Sequence, residues 1–235
     1  MSLTRRAKRL GLVLLVAQLA LPALAEPEAA ESACDDARAA QAAAVVQAHY
    51  DQVADLSAGF EQRSQSVVLG GVSMGAEAPT RGRVVFAKPG KMRWAYTEPA
   101  ESFVISDGHV LWIYDVAEKQ ASKLPMEQDY LAGAALQFLL GDGQILESFR
   151  VSAERCEDGR IDLELIPKQA ASYERLGLSA DEETGEIAET VIVDLFGNRT
   201  LIAFQEVRIN LDPPAETFTF EPPAGVDVID LRLTP

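Results

Sequence analysis

The chain has 235 residues, of which 36 are acidic and 21 are basic, so its formal charge at pH 7 is −15. A surface with this excess of carboxylates repels phosphate backbones and anionic membranes, which argues against nucleic acid as a partner. About half of the residues (48%) are hydrophobic. The length allows one domain with a sizeable core, or two small domains.

The first 25 residues have the features of a cleaved signal peptide. Basic residues precede an apolar run over residues 10–21, and Ala23-Leu24-Ala25 supplies the small-x-small pattern of a cleavage site. We expect cleavage after Ala25 and export of the remainder. No later stretch reaches the roughly 20 apolar residues of a membrane-spanning helix, so the exported chain is expected to be soluble.

The two cysteines, Cys34 and Cys156, are candidates for a disulfide in an oxidising compartment. Such a bond closes a long loop, for which the chain-entropy model gives about 4 to 5 kcal/mol of stabilisation. Two unlinked thiols are the alternative. Neither cysteine has neighbours at metal-ligand spacing, so no metal site is expected.

The segment after the signal peptide predicts one long helix. Residues 26–41 form an extension rich in Ala and Glu that merges into this helix, and residues 42–235 are predicted to form a single domain. Helical spacing (i, i+4, i+7, i+8, i+11) is followed by Ala42, Val46, His49, Tyr50 and Val53. We interpret His49 as a core histidine, because no second ligand type lies at helical spacing from it.

From Ser57 onward the apolar period changes from 3.6 to 2, which predicts strands. The candidate strands are residues 58–69, 82–88, 91–97, 102–106, 109–115, 119–124, 148–155, 160–166, 173–179, 187–195, 199–210 and 217–221. Most links between them are short, whereas a parallel crossover needs a dozen or more residues. We therefore predict one large antiparallel sheet.

The hairpin "SFVISDGHVLWIYD" (102–115) is apolar on both faces, so both faces need a cover. Asp107-Gly108 predicts a two-residue type I′ turn, with Ile105 opposite Val110 and Phe103 opposite Trp112. Bulky side chains of strand 91–97 share one face, and we expect the bulky hairpin residues to join them. The predicted inner wall consists of Met92, Trp94, Tyr96, Phe103, Ile105, Val110, Trp112 and Tyr114. The opposite face of the hairpin is left for the N-terminal helix or a long loop to pack.

Residues 126–143 interrupt the strands with a short helix that is apolar almost all round. Its apolar positions are Leu131, Ala135, Leu136, Phe138, Leu139 and Leu140. Two architectures fit a large apolar sheet face with few helices. Either the sheet closes and fills its interior, or it stays open and the helices form a lid over a cavity.

Catalytic motifs are missing from the sequence. His49 and His109 have no nearby pattern of nucleophile and carboxylate, and no G-x-S-x-G, HExxH or phosphate-binding glycine loop occurs. We therefore expect a binding protein rather than an enzyme, with no cofactor.

Three stretches together resemble the LolA family of periplasmic lipoprotein carriers: "KPGKMRWAYTEPAESFVISDGHVLWIYD" (88–115), "VDLFGNRTLIAF" (193–204) and "FTFEPPAGVDVI" (218–229). The resemblance spans roughly residues 43–230. It implies a mainly β fold with helices, an incomplete antiparallel β-barrel covered by a helical lid around an apolar cavity. It thereby favours the open, lidded sheet.

The resemblance also implies roles for particular residues. Trp94 matches the cavity tryptophan of the family, and residues 131–140 match part of its lid. Many members have an arginine before the proline of the first motif, where it bonds to the lid backbone. Lys88 stands at that position as a candidate lid latch, and its flexible stem with three donors suggests a weaker one.

Function and partners follow from the same resemblance. It implies a monomeric periplasmic chaperone that binds acyl chains of lipoproteins from an inner-membrane ABC exporter. The cargo then passes to a LolB-like outer-membrane receptor lipoprotein or to the membrane. Two alternatives stay open: a paralogous carrier or sensor of a glycolipid or polyene, and a structural protein with a filled interior.

Overall fold

The structure is a computed structural model that describes residues 34–67, 78–125 and 143–231. The predicted signal peptide and all six predicted lid residues (Leu131, Ala135, Leu136, Phe138, Leu139 and Leu140) lie outside these ranges. The helices are α1 (Asp36–Asp51), α2 (Ile145–Ser148) and a 3₁₀ helix (Ala215–Phe218). The strands are β1 (Asp55–Gln65), β2 (Thr80–Ala87), β3 (Lys91–Glu98), β4 (Ser102–Asp107), β5 (Val110–Asp115), β6 (Gln120–Pro125), β7 (Phe149–Glu157), β8 (Arg160–Pro167), β9 (Tyr173–Asp181), β10 (Ile187–Asp194), β11 (Arg199–Ile209) and β12 (Asp227–Asp230).

The strands form one open sheet in the order β12-β6-β5-β4-β3-β2-β1-β11-β10-β9-β8-β7. Every neighbouring pair is antiparallel except β12 and β6, which run parallel. The predicted fold, a large and incompletely closed antiparallel sheet with a few helices, is confirmed. The last predicted strand is wrong: residues 217–221 include the end of the 3₁₀ helix, and the final strand begins at Asp227.

The register of the β4–β5 hairpin differs from the prediction by two residues. Ile105 lies opposite Trp112 and Phe103 opposite Tyr114, so the loop is Gly108-His109. Gly108 has φ +96°, a backbone region that glycine adopts without steric cost. The carboxylate of Asp107 accepts the backbone N–H groups of His109 (2.8 Å) and Val110 (2.9 Å). Asp107 therefore stabilises the turn through its side-chain hydrogen bonds and is not one of the two central residues of the turn.

The predicted inner wall is divided between the two faces of the sheet. Residues opposite each other in an antiparallel pair lie on the same face. Trp94 is opposite Val104, whereas Ile105 is opposite Arg93. Met92, Trp94 and Tyr96 thus share one face, which we call the inner face. The prediction is wrong for five residues that lie on the outer face: Phe103, Ile105, Val110, Trp112 and Tyr114. The size of a side chain does not indicate its face in this hairpin, because both faces are covered and both carry bulky apolar residues.

The C-terminal segment covers the outer face of these strands. Its 3₁₀ helix packs against β3 and β4, and Phe218 is buried there. The ring of Phe220 lies 5.4 Å from that of Trp112 and 5.2 Å from that of Tyr114. Ile105 is fully buried on this side and is not part of the main core. The outer face therefore has its own small core.

Helix α1 packs on the inner face and begins at Asp36, earlier than the predicted stripe. The Asp35 carboxylate caps it by accepting the N–H of Arg38 at 2.8 Å. Its buried residues are Ala39, Ala42, Ala43, Val46 and Tyr50. Small alanine side chains let the helix lie close to the strands. His49 is only partly buried, at the margin of this interface.

Both ends of α1 are tied to the sheet. A disulfide joins Cys34, before the helix, to Cys156 of β7. Near the C-terminus the hydroxyl of Tyr50 accepts the N–H of Ile187 at 3.2 Å. Burial raises the pKa of Tyr50 to about 12, and the hydrogen bond from Ile187 opposes that rise. The hydroxyl is therefore neutral at pH 7.

The β9–β10 turn contacts both the first turn and the middle of α1. Arg38 pairs with Glu182 of this turn at 2.7 Å, with both side chains partly buried. Gly185 has φ +76°, and a Cβ added to it would lie 2.7 Å from the carbonyl oxygen of Val45. Only glycine allows this backbone conformation together with this close approach.

We expect Gly185→Ala to destabilise the protein more than Gly159→Ala. Gly159 has nearly the same φ (+74°) but no neighbour within 4 Å of an added Cβ. The control substitution should cost about 1 to 2 kcal/mol for the left-handed backbone alone. Gly185→Ala should add about 1 to 3 kcal/mol, because α1 must move away. Urea unfolding of both variants measures the difference, and equal losses would show that α1 does not depend on this contact.

A second prediction concerns acid stability. The Asn198 side chain donates to Asp194 at 2.7 Å and backbone N–H groups add to it, which lowers the pKa of Asp194. Its stabilising contribution is therefore present above the unfolded value of 3.8 and is lost as pH falls through the lower folded pKa. At pH 6 the free energy of unfolding of the wild type should exceed that of the Asp194→Asn variant. This difference in stability should shrink as the pH falls below 3.8. A difference independent of pH would contradict this.

Candidate functional site: the inner wall of the sheet

The candidate site is the apolar inner face of β1 to β6. Cross-strand pairs arrange its side chains in three rows that run across the strands. The row nearest the C-terminal end of α1 is Leu56, Phe86, Met92, Ser106, Leu111 and Leu124. The second row is Ala58, Val84, Trp94, Val104, Ile113 and Ser122. The third row begins with Phe60, Gly82 and Tyr96. We call the apolar members of these rows the inner wall.

Four aromatic rings form the centre of the inner wall. Trp94 contacts Phe60 (4.7 Å between ring centroids), Phe86 (5.7 Å) and Tyr96 (6.2 Å). Gly82 lies between Phe60 and Tyr96, whose rings are 5.1 Å apart. A Cβ at Gly82 would come within 2.0 Å of the Ala95 carbonyl oxygen. The glycine thus lets the neighbouring strand and both rings close over it.

Exposure increases along the second row, whereas the first row is buried throughout. In the first row, Met92 and Leu111 are 1% and 2% exposed. In the second row, Trp94 is 5% exposed, Val104 is half-buried and Ile113 is 37% exposed. The first row therefore belongs to the packed core, and the second leads from that core to apolar surface that a hydrocarbon chain can contact.

Three of the eight predicted wall residues lie on this face: Met92, Trp94 and Tyr96. The sequence reasoning missed Phe60, Val84, Phe86, Val104 and Leu111. Regular alternation in "DLSAGFEQ" (55–62) and "RVVFA" (83–87) marks several of these positions, since alternate residues of a strand share a face. Val104 and Leu111 required the correct pairing of β3 with β4.

Lys88 lies at the edge of the inner wall and contacts α1. Its Nζ donates to the carbonyl oxygen of Tyr50 at 2.7 Å, in the last turn of the helix. A cation at this position adds a hydrogen bond to a carbonyl of the last turn, which also accepts the N–H of Val53 at 3.2 Å, and complements the helix dipole. The predicted contact with the lid involves residues outside the described ranges, so the role of Lys88 as a lid latch stays a prediction.

The outer face of the sheet has a groove, which is lined by charged as well as apolar residues. This groove, of about 440 Å³, lies over β7 to β11. Its floor contains Val191 and Val193, and its walls carry charged side chains such as the pair of Arg175 and Glu164, 3.2 Å apart. A hydrocarbon would have to desolvate these charges to enter it. The inner wall is therefore the better surface for an apolar ligand.

Within the described part of the chain, no group of three or more His, Cys, Asp or Glu side chains is placed to hold a metal ion. In the same ranges, none of the helices has both the length and the apolar character to cross a bilayer.

Known proteins similar to this chain are outer-membrane lipoprotein carriers. The family model for "Outer membrane lipoprotein carrier protein LolA" matches residues 51–221. An outer-membrane lipoprotein carrier protein of Chromobacterium violaceum is 33% identical over 207 residues, covering 86% of this chain and 94% of the relative. Another, from Ralstonia nicotianae, is 30% identical over 193 residues, covering 81% and 88%.

A solved structure supports the fold. A conserved protein from Thermus thermophilus superposes with a TM-score of 0.50 at 12% identity, covering 82% of this chain and 98% of that one. At this identity the likeness concerns the fold alone. The match of the family model to most of the chain, together with relatives that align over nearly their whole length, identifies the family. This chain belongs to the LolA family of outer-membrane lipoprotein carrier proteins.

Proposed function

We propose that this protein is a periplasmic carrier that holds lipoprotein acyl chains against the inner wall. The observation that carries the proposal is the apolar surface that continues from the buried Trp94 to the half-buried Val104 and exposed Ile113. The names of the relatives support the choice of cargo. The protein acts by binding, and no catalytic step is part of the proposal.

Partition of the acyl chains supplies the binding energy. Each methylene removed from water contributes about 0.8 kcal/mol, so several methylenes suffice to keep a lipid-modified protein from aggregating. The aromatic rings around Trp94 and the flexible Met92 adapt to chains of varied shape. An apolar wall without a fixed pattern of polar groups suits cargo that differs from one lipoprotein to the next.

Release of the cargo requires a part of the protein that competes with the acyl chains for the inner wall. In this proposal the lid residues 131–140 occupy the inner wall in the empty carrier, so lid closure and cargo binding exclude each other. The protein works as a monomer, receives cargo from an inner-membrane ABC exporter, and delivers it to a LolB-like receptor or to the outer membrane. The more stable the closed state, the more readily cargo passes to the receptor.

A release assay tests the function. Purified protein is incubated with spheroplasts that are synthesising lipoproteins, and the soluble fraction is analysed for acylated proteins. A carrier should bring them into the soluble fraction in a complex with itself. If native mass spectrometry instead finds a glycolipid or polyene on the isolated protein and no lipoprotein is released, the cargo assignment is wrong.

Neighbouring residues of β4 provide a matched test of the site. Val104 lies on the inner face and Phe103 on the outer face, and both are half-buried. Val104→Glu should reduce lipoprotein release at least tenfold, because an ionised carboxylate in the wall repels acyl chains. Phe103→Glu should retain release, since the new carboxylate lies near Arg93, whose guanidinium is 5.1 Å from the Phe103 ring.

Trp94→Glu should likewise abolish cargo retention while the variant is still exported. Thermal unfolding of all three variants separates a loss of cargo from a loss of fold. Full release by folded Val104→Glu and Trp94→Glu would remove these residues from the site.

A further inference from the structure

The inner face changes from apolar to polar along β1. Leu56, Ala58 and Phe60 are buried apolar residues of this face, and the next two residues on it are Gln62 and Ser64. Thr80 is opposite Gln62, and Thr200 is opposite Ser64. We call Gln62, Ser64, Thr80 and Thr200 the polar margin. Gln62 follows Phe60 by two residues, about 7 Å along the strand.

The polar margin has unused hydrogen-bonding capacity. The Oγ1 atom of Thr80 is buried and has no hydrogen-bond partner among the described residues. Gln62 accepts one long bond, 3.4 Å from the hydroxyl of Tyr96, and its amide N–H groups donate to none of the residues described. The hydroxyls of Ser64 and Thr200 are also 3.4 Å apart. Buried polar groups normally have well-formed partners, because leaving them unpaired costs stability.

Hydrogen bonds count for more in this environment than at the surface. The hydroxyl of Tyr96 lies 3.4 Å from Oε1 of Gln62, and burial raises the pKa of this hydroxyl. The nearest charged side chains of β1 and β2 point the other way: Glu61 and Arg81, 2.9 Å apart, lie on the outer face. The polar margin therefore presents neutral donors next to hydrocarbon surface.

We infer that the polar margin binds the ester or amide carbonyl oxygens that link the acyl chains to the rest of the cargo lipoprotein. An ester or amide carbonyl is a neutral acceptor at the end of a hydrocarbon, which matches neutral donors at the end of an apolar wall. Thr80 and Gln62 are the principal donors. The inference rests on the proposed carrier function and adds to it a polar subsite that fixes how far the chains enter.

Two soluble lipids that differ only in a carbonyl test the inference. The probes are 1-decanoylglycerol, an ester, and 1-O-decylglycerol, the ether of the same chain length, titrated by calorimetry. Wild type should bind the ester about three- to tenfold more tightly, the effect of one or two neutral hydrogen bonds. Thr80→Val and Gln62→Leu should each reduce this preference towards one. Thr80→Ser, which keeps the hydroxyl, should preserve it.

Thr97→Val is the control variant, because Thr97 is an exposed residue of β3 whose hydroxyl donates to the carbonyl of Arg81 at 3.2 Å. It should keep the wild-type preference. Equal affinity of wild type for the ester and the ether would overturn the inference and leave the carrier function standing. An undiminished preference in both Thr80→Val and Gln62→Leu would also overturn it. Binding of neither lipid by wild type would refute the carrier function and the polar subsite with it.

Discussion

The pairing of β3 with β4 decides which side chains the rest of the molecule must cover. Trp94 opposite Val104 continues one apolar face, and Arg93 opposite Ile105 continues the other. Strands with two apolar faces, such as β4 and β5, are stable in water only if each face has a cover. Helix α1 packs on the inner face, mainly against β7 and β8, in a core that also contains Met92 and Trp94. The C-terminal segment with Phe218 and Phe220 covers the outer face of β3 to β5. Because the outer cover packs on its own aromatic cluster, the inner wall can leave apolar surface accessible without exposing both sides of the sheet.

The links of α1 to the sheet make it the fixed part of the inner cover. The disulfide of Cys34 and Cys156 holds the chain just before the helix, and the Lys88 contact with the Tyr50 carbonyl holds its last turn. Gly185 lets the β9–β10 turn lie directly on the helix backbone. These links differ in chemistry and lie far apart along the chain, so no single one has to hold the helix alone.

Sequence patterns predicted the class of the fold and most strands, because alternation and short links are local features. The face of the hairpin residues was predicted wrongly, since it depends on pairing between strands, which bulk alone does not encode. The cover of the outer face was missed because residues 217–221 alternate like a strand but begin within a 3₁₀ helix. Trp94 was identified as an inner residue from its own strand and from the family resemblance. The polar margin was not predicted, because nothing in the sequence around Gln62 or Thr80 indicates that these two residues lie opposite each other on the inner face.

The central claim is that the inner wall, and only that face of β3 to β5, contacts the acyl chains of the cargo. The most direct measurement is photo-crosslinking with a lipoprotein whose acyl chain carries a diazirine, followed by mass spectrometry of the labelled peptides. Labels should fall on inner-wall residues such as Trp94, Tyr96 and Val104. Labels on Phe103, Trp112 or Tyr114 would place the cargo on the outer face and contradict the account.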